Sequence, residues 1–139
     1  MNKSNNNGED LAITIQNNIE DGYFHAKYIG TIEDQEFLST WKNYLENSEG
    51  ELDLNALHDL EDANISKVSL DSLFEIAQLA GEIYEKFNKR SITNVVYTTN
   101  LNDFAISNMY DSFTCSATQI VRIFEDKEES VTWIKKQKV

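Results

Sequence analysis

The hydrophobic period of this chain switches repeatedly between two residues and about 3.6, and that alternation restricts it to an α/β architecture. Leu11, Ile13 and Ile15 alternate with Ala12, Thr14 and Gln16, the pattern of a strand. Glu20-Asp21-Gly22 is a turn signal, and the aromatic-rich stretch from Tyr23 to Ile29 returns as the second strand of a hairpin. Gly30 closes that strand, and Thr31 reads as an N-cap with Asp34 three residues on. Phe37, Leu38, Trp41, Tyr44 and Leu45 then fall on one helical face, which Asn47 to Gly50 ends.

The alternation continues to the end of the chain. Leu52, Leu54 and Ala56 predict a third strand, followed by an acidic loop from Asp59 to Asp62. Ser69 is the expected N-cap of the longest helix, whose stripe is Leu70, Leu73, Phe74, Ala77, Ala80, Tyr84 and Phe87. Lys86, Lys89 and Arg90 suit the negative end of its dipole. A fourth strand over Ile92 to Thr99 leads through Asn100 into a helix bearing Leu101, Phe104, Met109 and Phe113. Gln119 to Phe124 is the fifth strand, and Asp126 caps a last helix carrying Val131, Trp133 and Ile134. The order is a β-hairpin and then alternating helices and strands, which implies right-handed crossovers and a mostly parallel five-stranded sheet. Residues 1–10 are polar and are expected to form a disordered tail; residues 11–139 read as a single domain.

Strands buried on both faces are continuous apolar runs. Here Asp53, Asn55, Thr93 and Arg122 interrupt them. The helices are therefore expected mainly on one sheet face, leaving a semi-polar face for water, the tail or a second copy of the chain.

Composition excludes several functions. The net charge is −12, from 24 acidic and 12 basic residues, without a basic stripe to neutralise phosphates. This argues against nucleic acid and anionic membrane surfaces, and any protein partner is expected to present a basic surface. No apolar run approaches the ~18 residues of a membrane span. The start lacks the pattern of a signal peptide, and Cys115 is the single cysteine. Both fit a reducing, cytoplasmic setting.

Catalytic and cofactor motifs are missing as well. The glycines at 8, 22, 30, 50 and 81 are too scattered for a phosphate loop or dinucleotide fingerprint. There is no nucleophile elbow. Cys115 has only Thr114 and Ser116 beside it, neither of them a base, and reads as structural. His25 lies in a strand and reads as packed or surface. His58 adjoins Asp59, Glu61 and Asp62, but their spacing matches no metal site, so a solvated acidic loop is the better reading. The expectation is no catalytic residue, no metal and no cofactor.

Two locations remain as candidates. Open α/β sheets bind ligands at the carboxyl ends of their strands, where His58, Asp59, Thr98, Thr99, Asn100 and Glu125 are expected to collect. Ser66 and Ser69 flank the start of the long helix, where a phosphate or a partner would be favoured, although Ser69 can equally serve as a plain cap.

Three stretches carry a resemblance. They are Gly30-Thr31-Ile32-Glu33-Asp34 leading to Phe37 and Trp41; the segment Val95 to Phe113 with its Ala-x-x-x-Met-Tyr helix; and Val121 to Ile134, a strand, acidic turn and Trp-Ile helix. In this order they resemble the STAS/SEC14-type SpoIIAA-like family of small bacterial proteins, over residues 11–136. The resemblance implies a βα superhelix with helices mainly on one face. Relatives in the wider STAS family are anti-sigma-factor antagonists, switched by phosphorylation of a serine in an Asp-Ser-Ser-Gly-like signature. Here Asp62-Ala63-Asn64-Ile65 stands in its place, ahead of Ser66 and Ser69, so that switch is not implied for this chain. The SEC14-like side implies an apolar pocket between sheet and helices.

These readings lead to a non-enzymatic regulatory or binding module working through protein–protein contacts, including homodimer formation. The alternative is a carrier or sensor of a small apolar ligand or lipid, in a pocket near Leu73, Phe74, Tyr84, Phe104 and Met109. An enzyme built on His58 is the third expectation.

Overall fold

The computed structural model describes residues 11–47, 53–87 and 90–138. β1 (Ile13–Asn18) and β2 (Tyr23–Thr31) form the expected hairpin around a 3-10 turn at Ile19–Asp21. Gly22 adopts φ 77° at this turn, a left-handed conformation that a Cβ disfavours. A Cβ there would also lie 3.0 Å from the Lys138 side chain. Then come α1 (Asp34–Asn47), β3 (Asn55–Asn64), α2 (Leu70–Phe87), β4 (Ile92–Tyr97), α3 (Leu101–Ser112), β5 (Gln119–Phe124) and α4 (Lys127–Lys135). The sheet order is β1-β2-β3-β4-β5, with β1 antiparallel to β2 and the remaining pairs parallel.

Strand side chains alternate between two faces. One face carries Phe24, Ala26, Tyr28, Ala56, Leu60 and Val96, which form the main core with Trp41, Tyr44 and Leu45 of α1 and Leu73, Ile76 and Tyr84 of α2. Ile106 and Tyr110 of α3 pack against the same core. The opposite face carries Tyr23, Leu57 and Val95, covered by Ile134 of α4. Three helices thus cover one face, as right-handed crossovers between successive neighbouring strands require, and α4, which follows the last strand, covers the other.

The expected caps of α2, α3 and α4 form. Ser69 Oγ accepts from Ser72 N–H at 3.0 Å, Asn100 Oδ1 from the N–H groups of Asn102 and Asp103 at 2.8 and 3.2 Å, and Asp126 Oδ1 from Glu129 N–H at 3.0 Å.

Four features depart from the sequence reading. The acidic segment Asp59 to Asp62 is not a loop: β3 continues to Asn64, paired with β2 past a register shift between Lys27 and Ile29. Thr31 ends β2 rather than capping α1, because its pairing with Asn64 extends the strand. Leu70, Phe74 and Phe87 of the α2 stripe are exposed, at 50%, 50% and 62%. The semi-polar face is only partly open. α4 buries Asn55 and Thr93, and Arg122 lies over the Trp133 ring at 5.8 Å. What remains uncovered carries Thr14, Gln16, His25 and Lys27 on β1 and β2. The expectations for residues 1–10, Ser48 to Gly50, Leu52 and Lys89 fall outside the described residues.

Asn55 shows how a polar strand residue is accommodated in the interior. Its Oδ1 accepts from Thr93 N–H at 2.9 Å and Arg90 Nη1 at 3.1 Å, and its Nδ2 donates to the Gln137 carbonyl at 3.3 Å. One side chain joins β3, β4 and the segment after α4. Asn55→Ala is expected to lower stability by about 2 kcal/mol, because it leaves a buried N–H unpaired. Urea unfolding checks this.

Candidate ligand cavity

Between the sheet and α1, α2 and α3 the side chains leave a cavity of about 90 Å³. Its walls are largely aromatic: Phe24 and Tyr28 come from β2, Phe37, Trp41 and Tyr44 from α1, Tyr84 from α2 and Tyr110 from α3. His58, Asn94 and Gln119 add polar groups from β3, β4 and β5. Among the described residues that line it, none is Asp, Glu, Lys or Arg.

The polar groups form one hydrogen-bonded chain. Trp41 Nε1–H donates to Tyr28 Oη at 3.0 Å. Tyr28 Oη meets His58 Nδ1 at 2.9 Å, and His58 Nε2 meets Asn94 Oδ1 at 3.4 Å. Asn94 Nδ2 and the Tyr110 hydroxyl both donate to Gln119 Oε1, at 3.3 and 2.8 Å. Gln119 Nε2 donates to the Ala77 carbonyl at 3.2 Å, closing the chain on α2. A carbonyl oxygen only accepts, so His58 carries its proton on Nε2, and Nδ1 accepts from Tyr28. Burial holds the His58 pKa down at about 4, against the opposing pull of Asn94. The ring is therefore neutral at pH 7. Burial also pushes the hydroxyls of Tyr28 and Tyr110 upward.

Tyr84 is different. It is 7% exposed, lines the same cavity and has no hydrogen-bond partner for its hydroxyl among the described residues. Burial raises its pKa.

Neighbouring strand residues point to opposite faces, so Asp59 projects away from the cavity. Its side chain is 1% exposed. Asp59 Oδ2 lies 3.0 Å from His25 Nε2, 3.1 Å from Lys127 Nζ and 3.7 Å from Lys27 Nζ, while Oδ1 accepts from Glu61 N–H at 3.1 Å. Burial disfavours its charge, but the Glu61 amide, Lys127, His25 and Lys27 together outweigh burial and hold its pKa below the usual range. Lys127 is raised in turn, chiefly by its hydrogen bond to Asp59. The cluster fastens the first turn of α4 to β2 and β3.

The sequence candidates therefore do not converge on one edge. His58 enters the cavity and Asp59 the ion cluster. Thr98 is buried, donates its N–H to the Phe124 carbonyl at 3.0 Å and accepts from Asn100 N–H at 3.1 Å. Thr99 and Asn100 are exposed where β4 passes into α3, and Glu125 is exposed after β5. Ser66 is exposed, and its N–H donates to Asn64 Oδ1 at 2.8 Å.

Ser69 stands beside an anion that the chain itself provides. Asp34 Oδ1 accepts from Ser69 N–H at 2.7 Å, and Oδ2 accepts from Ser72 Oγ at 3.0 Å. These bonds, the Ser69 amide first, lower the Asp34 pKa. The place where a phosphate would meet the N-terminus of α2 is filled by a carboxylate from α1. Asp34→Ala is expected to lower stability by about 1–2 kcal/mol. A shift in urea midpoint at unchanged slope would show it.

Tyr28, Trp41, Asn94, Tyr110 and Gln119 were not singled out as site residues by sequence, and Tyr84 was named only as a pocket wall. Of the other expected wall residues, Phe74 and Met109 are exposed, at 50% and 39%. A signal did exist in β4: Asn94 shares a face with Ile92 and Val96, so a polar side chain interrupts an apolar face.

A solved structure is similar to the chain over most of its length. It is the crystal structure of an uncharacterized protein from the DUF3478 family with a SpoIIAA-like fold, from Shewanella loihica PV-4. The two share 21% identity over 88% of this chain and 92% of that one, with a TM-score of 0.56. The chain has a SpoIIAA-like α/β fold, as its resemblance implied. No family model and no curated protein matches the chain. Among the described residues no helix is long and apolar enough to cross a membrane.

Proposed function

We propose that this protein is a non-enzymatic binding module that takes a small apolar ligand into the cavity between the sheet and α1, α2 and α3. The observation that carries the reading is an aromatic cavity of about 90 Å³ whose sheet wall has its polar groups already paired with one another. An apolar guest gains contact with the walls and leaves that chain intact. Both nitrogens of His58 are engaged in the chain, which argues against a general acid or base there. Size favours a small guest over an acyl lipid: pockets for drug-sized molecules run to about 300–1,000 Å³. We also place the protein in the cytoplasm, where an unpaired, exposed Cys115 stays reduced.

Thermal unfolding with millimolar benzene or cyclopentane tests the reading. Ligand that binds only the folded state raises the midpoint. Ala80→Leu, which fills the cavity from α2, is expected to abolish the rise. No rise in the unsubstituted protein with either probe overturns the proposal.

A second reading, a regulatory module acting through contact with a second copy or another protein, draws on the outer surface of α2. Leu70 and Phe74 are each 50% exposed there, and Phe74 meets Phe113 edge to face at 5.5 Å. Light scattering checks self-association: a concentration-dependent dimer, weakened by Phe74→Ser, supports it, and a strict monomer counts against it.

A further inference from the structure

We infer that the ligand is an uncharged molecule about the size of a single five-membered ring, carrying one hydroxyl or carbonyl oxygen that pairs with Tyr84. This inference rests on the cavity being a ligand site and adds the chemistry of its occupant.

Three observations carry it. The first is the state of the polar groups. Each polar side chain of the chain from Trp41 to Gln119 is committed to a neighbour, whereas Tyr84, a residue more than nine-tenths buried on the cavity wall, has no partner for its hydroxyl among the described residues. A guest that offers this hydroxyl an oxygen gains one net hydrogen bond, about three- to tenfold in affinity. A purely apolar guest does not.

The second is charge. No acidic or basic side chain lines the cavity among the described residues, and His58 is neutral. An ion entering it would lose its hydration with nothing of opposite charge in return. Carboxylates, ammonium groups and phosphates are excluded on that ground.

The third is size. The cavity is about 90 Å³, against roughly 150 Å³ for an engineered cavity that takes benzene. A single small ring is near the limit.

Three probes with the same number of non-hydrogen atoms separate these terms: methylcyclopentane, cyclopentanol and cyclopentylammonium. Trp41 lines the cavity and reports occupancy by fluorescence, once Trp133 on the far face is replaced in a Trp133→Phe background. Both neutral probes are expected to quench or shift Trp41 emission, and the ammonium ion is expected to leave it unchanged. Tyr84→Phe deletes only the hydroxyl and leaves no other group unpaired. It is expected to weaken cyclopentanol binding about three- to tenfold, the range of one net hydrogen bond, while methylcyclopentane stays within about twofold of its original affinity.

The inference is overturned if Tyr84→Phe leaves the ratio of the two neutral affinities unchanged, or if the ammonium ion binds as well as the alcohol. In either case the cavity remains a ligand site and only its chemistry has been misread. If none of the three probes binds, the proposed function falls together with the inference.

Discussion

Acidifying the protein from pH 6.5 to pH 4 is expected to cost about 3 kcal/mol of folding stability through His58 alone. The folded-state pKa of His58 is lowered to about 4 from an ordinary 6.5. Each pKa unit corresponds to about 1.4 kcal/mol. The sign follows from proton binding. Between the two values the unfolded chain protonates this ring and the folded chain does not, so falling pH favours unfolding. The loss begins as pH drops through 6.5 and is complete below about 4. Asp34 and Asp59, whose pKa values are lowered, lose their contributions at still lower pH, below the ordinary carboxylate range. Asp103 acts in the opposite sense, since burial raises its pKa and falling pH relieves it.

His58→Gln separates these contributions. A glutamine side chain offers an acceptor towards Tyr28 and a donor towards Asn94, and it does not titrate. Asp34, Asp59 and Asp103 are the same in both proteins and cancel in the difference. Urea unfolding at a series of pH values is expected to show the variant flatter than the unsubstituted protein by about 2–3 kcal/mol between pH 6.5 and 4. An equally steep variant would mean that His58 is solvated and that the polar chain across the cavity does not hold.

Element order was legible because hydrophobic period is a local property. Ile13 and Ile15 on one side of a turn and Tyr23 to Ile29 on the other suffice to mark the hairpin, whatever the rest of the chain does. Caps are local too, and Ser69, Asn100 and Asp126 act within three residues of themselves. The end of β3 was not legible. Asp59, Glu61 and Asp62 look like a solvated loop until Lys27 and Lys127 arrive from distant parts of the chain to neutralise them. The cavity was legible only as a class of feature. The SEC14-like resemblance implied a pocket between sheet and helices, and Tyr84 was one of its expected walls. Its polar chain was hidden because Tyr28, Trp41, Asn94, Tyr110 and Gln119 sit on five different elements. Phe74 and Met109 were misplaced for a related reason. A wide apolar stripe does not say which of its edges the neighbouring helices will cover.

Asp59→Ala is expected to cost about 2–3 kcal/mol and to loosen α4 before the rest of the fold. Removing one member of a buried ion pair usually costs about 3–5 kcal/mol, because the other charge is left buried and unpaired. Here the surviving cations keep part of their hydration, with Lys27 27% and Lys127 44% exposed, and both remain near Glu61. The expected value therefore lies below that range. The loss falls on α4 because Lys127 opens that helix and Asp59 ties it to the sheet, while α1, α2 and α3 pack on the other face. Trp133, against Phe124 at 5.8 Å, reports α4 directly, and Trp41 reports the main core. In the Asp59→Ala protein, fluorescence of single-tryptophan variants is expected to show the Trp133 transition at lower urea than the Trp41 transition. Lys127→Ala leaves His25 and Lys27 on the carboxylate and is expected to cost only about 1 kcal/mol. Coincident Trp133 and Trp41 transitions in the Asp59→Ala protein would mean that the two faces of the sheet unfold as one unit. The ion cluster would then be a contribution to global stability rather than a fastening for α4.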